Sequence, residues 1–261
     1  MNRTARIITA SVLAAALCTG LGLLVHSSRE DRAALGCSRL EVHFKDSLKF
    51  VTADDIRGYL DSRYGRYIGQ RLDSVDLPKI ERLIESRSAV LKSEAWTTSD
   101  GTLHISITQR APVMRFQDGD KGFYIASNGY IFPLHKSFTA TVRTVTGSIP
   151  VNVPDGYKGE APTEEERAWL ASMLEMNKII ESSRTWRNIT DSIFVRPGGD
   201  VGLKMSRGDE LFILGEPHSL KEKFAEIEKY YDYIAPSVEE GHYKSVNLKY
   251  RRQIICRQKD T

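Results

Sequence analysis

The chain has 261 residues, 37 of them basic and 34 acidic, which gives a formal charge of +3. So even a balance excludes a dedicated nucleic-acid binder, which would carry a clustered basic face. The length leaves room for one large or two small domains beyond any targeting or anchoring segment.

The run from Ile7 to Val25, IITASVLAAALCTGLGLLV, carries no charge. As a helix it would be about 28 Å long, close to the hydrocarbon thickness of a bilayer. Arg3 and Arg6 precede it without an acid, whereas Arg29, Glu30, Asp31 and Arg32 after it cancel. The positive-inside bias then places residues 1–6 in the cytoplasm and the bulk of the chain across the membrane. A cleaved signal peptide is the rival, but the apolar run is longer than a usual h-region and no small-x-small site closes it. Of the three cysteines, Cys18 falls in this span, leaving Cys37 and Cys256 beyond it. An oxidising compartment would permit a bridge between them, though their distance in sequence favours two separate thiols.

Residues 26–36 are polar and charged, as in a linker. Leu40 to Phe44 alternates like a half-buried strand. Thr52, followed by Asp54 and Asp55, opens a helix with Ile56, Tyr59 and Leu60 on one face. Asp76 and Pro78 open a second, striped by Leu77, Ile80, Leu83 and Ile84. Val90 to Thr97 and Thr102 to Gln109 read as strands around the turn Ser99-Asp100-Gly101. Leu103, Ile105 and Ile107 would be covered, with His104, Ser106 and Thr108 on the wet face. The expected unit is α+β, with two helices on one face of a three-stranded sheet.

From Ala111 the pattern changes to short strands at Phe123 to Ile125, Tyr130 to Phe132 and Thr141 to Val145, with Ser127-Asn128-Gly129 as a hairpin turn. Thr163 to Glu166 is a capping box opening a helix with Trp169, Leu170, Met173, Leu174, Met176 and Ile180 inward. Strands follow at Ile189 to Val195, Val201 to Met205 and Glu210 to Leu214. Ser219 to Glu222 reads as another capping box, for a helix carrying Leu220, Phe224, Ile227, Tyr231 and Ile234. One last strand is expected from Ser245 to about Cys256, with Val246, Leu248 and Tyr250 inward and Asn247 and Lys249 outward.

Chemistry-bearing motifs are missing: there is no HExxH, CxxC, GxSxG or phosphate-cradling glycine loop. The six histidines show no ligand spacing, and His104 reads as a solvated imidazole on its strand. Glu164 to Glu166 are explained by the first turn of a helix. The expectation is a binding protein without catalytic residues, cofactor, metal or small-molecule substrate. Asp46-Ser47-Leu48, Asp73-Ser74-Val75 and Asp191-Ser192-Ile193 fit a sequon for periplasmic O-glycosylation in some bacteria.

Three stretches resemble the bacterial cell-division family FtsQ, called DivIB in Gram-positives. Phe50 to Ile56, Leu72 to Leu77 and Leu103 to Pro112 are similar to its POTRA domain, closing on Gln109-Arg110-Ala111-Pro112-Val113. Phe123 to Phe132 is like its hairpin, with a degenerate following segment that ends at Val145-Thr146-Gly147. Leu211 to Gly215 and Tyr243 to Tyr250 approximate its terminal segments, with Asn247 and Lys249 in place of the usual Asp and Arg.

The resemblance implies a transmembrane helix, a POTRA domain of β-α-α-β-β order over 37–111, and a larger mixed-sheet domain with flanking helices over 112–256, before a tail at 257–261. It also implies a non-enzymatic scaffold of the divisome, anchored once in the cell inner membrane at the septum. Such a scaffold recruits FtsL- and FtsB-like partners and helps control septal peptidoglycan synthesis by FtsW and its transpeptidase. Partner binding maps onto the terminal strand, with Val246, Leu248, Lys249, Tyr250 and Arg252, and onto Tyr231 of the preceding helix. An edge strand there would accept a partner strand. The plainer alternative is an edge blunted by Lys249, Arg251 and Arg252. Other docking is expected around Ile80 to Ile84. Competing functions are a POTRA-bearing component of outer-membrane assembly or secretion and a membrane-anchored cell-wall hydrolase. The first would require repeated POTRA units or barrel strands, the second a catalytic constellation.

Overall fold

The computed structural model describes residues 17–19 and 35–259. Residues 17–19 are helical; the rest of the expected span from Ile7 to Val25, residues 1–6 and most of the 26–36 linker lie outside the described residues. Among the described residues no helix is long and apolar enough to cross a membrane. The chain divides into two compact units, one ending at Gln109 and one running from Arg110 to Thr261. Each has its own hydrophobic core.

The first unit comprises β1 (Arg39–Phe44), α1 (Ala53–Arg63), a 3-10 turn (Leu72–Ser74), α2 (Leu77–Glu85), β2 (Val90–Thr97) and β3 (Thr102–Gln109). The Thr52 hydroxyl accepts from the Asp55 N–H while the Asp55 carboxylate accepts from the Thr52 N–H, so α1 opens on a capping box. Asp76 caps α2 through the Lys79 N–H, with proline in the first turn. The strand order is β1-β3-β2, with β1 parallel and β2 antiparallel to β3. Ile56, Leu60, Ile80 and Ile84 of the helices share a core with Leu103, Ile105 and Ile107 of β3, all fully buried. Full burial of such side chains contributes roughly 1.5–3 kcal/mol each.

The other face of β3 is drier than its polar residues suggest, because Ser106 is buried. Gln109, at the end of β3, is also buried and fully engaged: it accepts from the Val51 N–H and donates to Asp46 and the Leu48 carbonyl. One amide thereby pins the loop that leads into α1.

The second unit contains β4 (Pro112–Asp118), β5 (Lys121–Ala126), β6 (Ile131–Pro133), β7 (Arg143–Gly147), α3 (Glu164–Ser182), α4 (Arg184–Ile189), β8 (Thr190–Val195), β9 (Val201–Met205) and β10 (Leu211–Gly215). Then come α5 (Leu220–Lys229), a π-helical turn (Tyr230–Ile234), β11 (Tyr243–Asn247) and β12 (Ile255–Gln258). The strands form one mixed nine-stranded sheet in the order β12-β11-β10-β9-β8-β7-β4-β5-β6. Leu170, Met173, Met176 and Ile180 of α3 and Leu220, Phe224 and Ile227 of α5 pack with Phe116, Val145, Ile193, Leu203, Phe212 and Val246 in one core. Thr163 and Glu166 make the expected capping box at α3.

Several expectations are corrected. β4 and α4 have no counterpart among the predicted elements; a proline at the first residue of β4 obscures a strand that alternates buried Met114 and Phe116 with less buried neighbours. Ser219 forms no capping box: its φ is 51°, in the left-handed region, and its side chain makes no cap hydrogen bond. The strand expected from Ser245 to Cys256 is two antiparallel strands, β11 and β12, joined by a reversal. Cys37 and Cys256, by contrast, are separate free thiols, the alternative that their distance in sequence favours.

Candidate partner-binding edge

The reversal between β11 and β12 follows from local chemistry. The Asn247 carboxamide oxygen accepts from the Lys249 N–H at 2.9 Å, a short side-chain turn that stops β11. The Tyr250 carbonyl then accepts from the Gln253 N–H at 3.2 Å, and Arg252 takes φ 59°, which sends the chain back as β12. β11 is therefore not an edge. It pairs with β10 in parallel and with β12 in antiparallel fashion.

The residues expected to bind partners separate accordingly. Val246, Leu248 and Tyr231 are core, at 0%, 2% and 7% exposure. The Tyr231 hydroxyl donates to the Arg207 carbonyl at 2.8 Å. Lys249, Tyr250 and Arg252 lie together in the turn and are exposed. Tyr250, expected to point inward, is 57% exposed because the turn carries it off the strand's alternation.

The turn walls a groove of about 570 Å³ whose opposite side is α5, with Glu222, Glu226 and Lys229 facing Lys249, Tyr250 and Arg252. Lys249 is held in place: its stem crosses Gly215, where a Cβ would come within 2.8 Å of the lysine Cγ. Its Nζ reaches Asp200 at 2.8 Å, and that contact raises the lysine pKa. Arg251 meets Glu222 at 3.3 Å. Beneath the groove, Lys223 is buried and donates to the Leu214 and Glu216 carbonyls, both at 2.7 Å. Burial lowers its pKa.

The two ends of the large sheet are finished differently. At β6 the edge is covered, since Ile131 and Gly159 exchange backbone hydrogen bonds and Pro133 has no N–H to offer. At β12, no further strand pairs with the outer side among the described residues. Ile255, at the start of β12, is 44% exposed beside Arg257 and Gln258. The outward N–H and C=O groups of such a strand are a template for another chain. Ile255 does not stand out in the sequence, where it falls inside one long expected strand. The smaller sheet closes its β2 edge with side chains, the Glu81 and Glu85 carboxylates accepting from the Ala95 and Ser93 N–H groups.

Residues 111–257 match the family model described as FtsQ/DivIB, C-terminal related. The chain belongs to this FtsQ/DivIB-related family. Residues 35–108 match a POTRA-like domain model, so the first unit of this FtsQ/DivIB relative carries the second expected module. The FtsQ/DivIB family is one of cell-division scaffolds, and it and POTRA domains are non-catalytic types. No curated protein matches the chain.

The three tripeptides that fit an O-glycosylation sequon fall in three settings. Ser47 is exposed in a bend, Ser74 is exposed in the 3-10 turn and donates to the Arg71 carbonyl, and Ser192 is half-buried within β8. Metal-ligand types converge at Glu41, His43 and His104 in the first unit, where strand pairing joins residues far apart in sequence.

Proposed function

We propose that the protein is a bitopic divisome scaffold, anchored by the segment from Ile7 to Val25 in the inner membrane with its two folded units on the periplasmic side. Its open β12 edge and the adjoining groove receive FtsB- and FtsL-like bitopic partners, and through them it influences septal peptidoglycan synthesis by FtsW and its transpeptidase. The observation that carries the reading is the unequal finish of the nine-stranded sheet, covered at β6 and open at β12, in a chain of a cell-division family. A partner strand laid along β12 would satisfy the outward backbone groups, Ile255 and Tyr250 would supply apolar contact, and Arg252 would suit a partner carboxylate.

Depletion in the native cell tests the functional reading. The expected result is elongated cells that replicate but fail to complete septa. Normal division with unchanged septum placement would contradict it.

A further inference from the structure

We propose that Glu41, His43 and His104 form a binding site for a zinc-class divalent cation on the face of the small sheet opposite its helices. The three come together through the parallel pairing of β1 with β3, which sets Glu41 directly across from His104 and His43 across from Ser106. His43 Nε2 lies 3.3 Å from His104 Nδ1, Glu41 Oε2 lies 3.5 Å from His104 Nδ1, and Glu41 Oε2 lies 3.9 Å from His43 Nε2. Ligand atoms bound tetrahedrally to zinc at about 2.0–2.1 Å stand about 3.3–3.4 Å from one another, so two of the three separations already match within about 0.2 Å. The third, 3.9 Å, closes with a small turn of the His43 ring within its stack, on a side chain that is 51% exposed.

The hydrogen bonds around His104 prepare it as a ligand. The Thr98 hydroxyl donates to Asp100 Oδ1 at 2.5 Å, so towards His104 Nε2, 3.1 Å away, it acts as an acceptor. The His104 proton therefore sits on Nε2, and the Nδ1 lone pair faces Glu41 and His43. Arg39 donates to Asp100 at 2.8 Å and anchors the far end of this chain. A metal-binding imidazole characteristically has its second nitrogen fixed in this way. Trp96 stacks on both rings, with centroids 5.2 Å from His104 and 6.3 Å from His43, and limits their swing. His104 is only 16% exposed at its side chain, which corrects its reading as a solvated imidazole.

Two imidazoles and one carboxylate favour zinc and similar borderline ions over magnesium or calcium, which prefer all-oxygen sets. Three protein ligands leave a fourth position for water. The ion would clamp β1 to β3 at the face of the sheet that the helices leave uncovered.

The test is equilibrium dialysis of the full chain in mild detergent, stripped with chelator and titrated with zinc chloride alone. One equivalent should bind with a Kd tighter than about 100 µM. His43→Gln and Glu41→Gln should each weaken binding about tenfold or more, and Thr98→Ala should weaken it through loss of the tautomer-setting contact. His218→Gln and His242→Gln should leave it unchanged, and far-UV circular dichroism should show every variant folded. Failure to bind zinc at roughly 100 µM would overturn the proposal and leave the cluster as a histidine–histidine hydrogen bond. Zinc binding that His43→Gln does not weaken would also overturn it, by placing the metal elsewhere.

Discussion

Tyr67 shows how a single side chain ties the stability of the first unit to pH. It is 2% exposed, and burial, reinforced by the nearby Asp61 carboxylate, pushes its pKa up to about 12. An unfolded tyrosine loses its proton near pH 10, so the unfolded chain binds fewer protons than the folded one between those values. The contribution of this residue is thus fully present below about pH 10 and is lost as pH rises towards 12. Chemical denaturation of the full chain between pH 9 and about 12 should show that decline in the transition of the first unit, and Tyr67→Phe should reduce its slope. Ser219 gives the opposite lesson about local motifs. Ser-x-x-Glu spacing predicts a cap, yet the residue sits at φ 51° and its hydroxyl faces only His218 Nδ1, at 3.4 Å. Ser219→Gly should therefore stabilise the protein by up to about 1 kcal/mol, read as a higher urea midpoint, because glycine relieves the left-handed strain. A working cap would instead lose a few tenths.

At the level of elements, legibility tracked how local the determining interactions were. The edges of α1, β2 and β3 were readable because capping residues, alternation and the turn at Gly101, φ 85°, all lie within a few residues of one another. The end of β11 was not, since Val246 to Tyr250 keeps strand alternation and only the Asn247 side chain, turning back on Lys249 N–H, breaks it. That missed break moved the open edge from one strand expected over Ser245 to about Cys256 to β12 alone, and it turned Val246 and Leu248 from contact candidates into core. Lys249, Tyr250 and Arg252 remain in the candidate site for a different reason than alternation gave: they crown a turn beside α5. Glu41, His43 and His104 were illegible as a set, because 61 residues separate the two histidines and parallel pairing alone brings them together. Separate substitutions within the turn should therefore behave differently from those under it. Tyr250→Ala should leave the urea midpoint within about 0.5 kcal/mol of the parent, as for an exposed residue. Leu248→Ala should cost roughly 2–5 kcal/mol through the cavity it leaves.

For the whole molecule, the family match and the two modules place the chain in a family of cell-division scaffolds. The proposed binding of bitopic partners would need no reaction centre, only surfaces whose backbone and side chains are left incomplete. The sheet edge at β12 is such a surface, and a membrane anchor would raise the effective concentration of bitopic partners in the same plane. The central claim is most directly tested by copurification of the FtsB-like partner with the full chain from detergent-solubilised membranes. Ile255→Glu and the double variant Tyr250→Ala with Lys249→Glu should each reduce recovered partner at least about tenfold, the loss expected when a contact of roughly 1.4 kcal/mol or more is removed. Undiminished recovery with both variants folded would contradict the claim and place the partner on another surface.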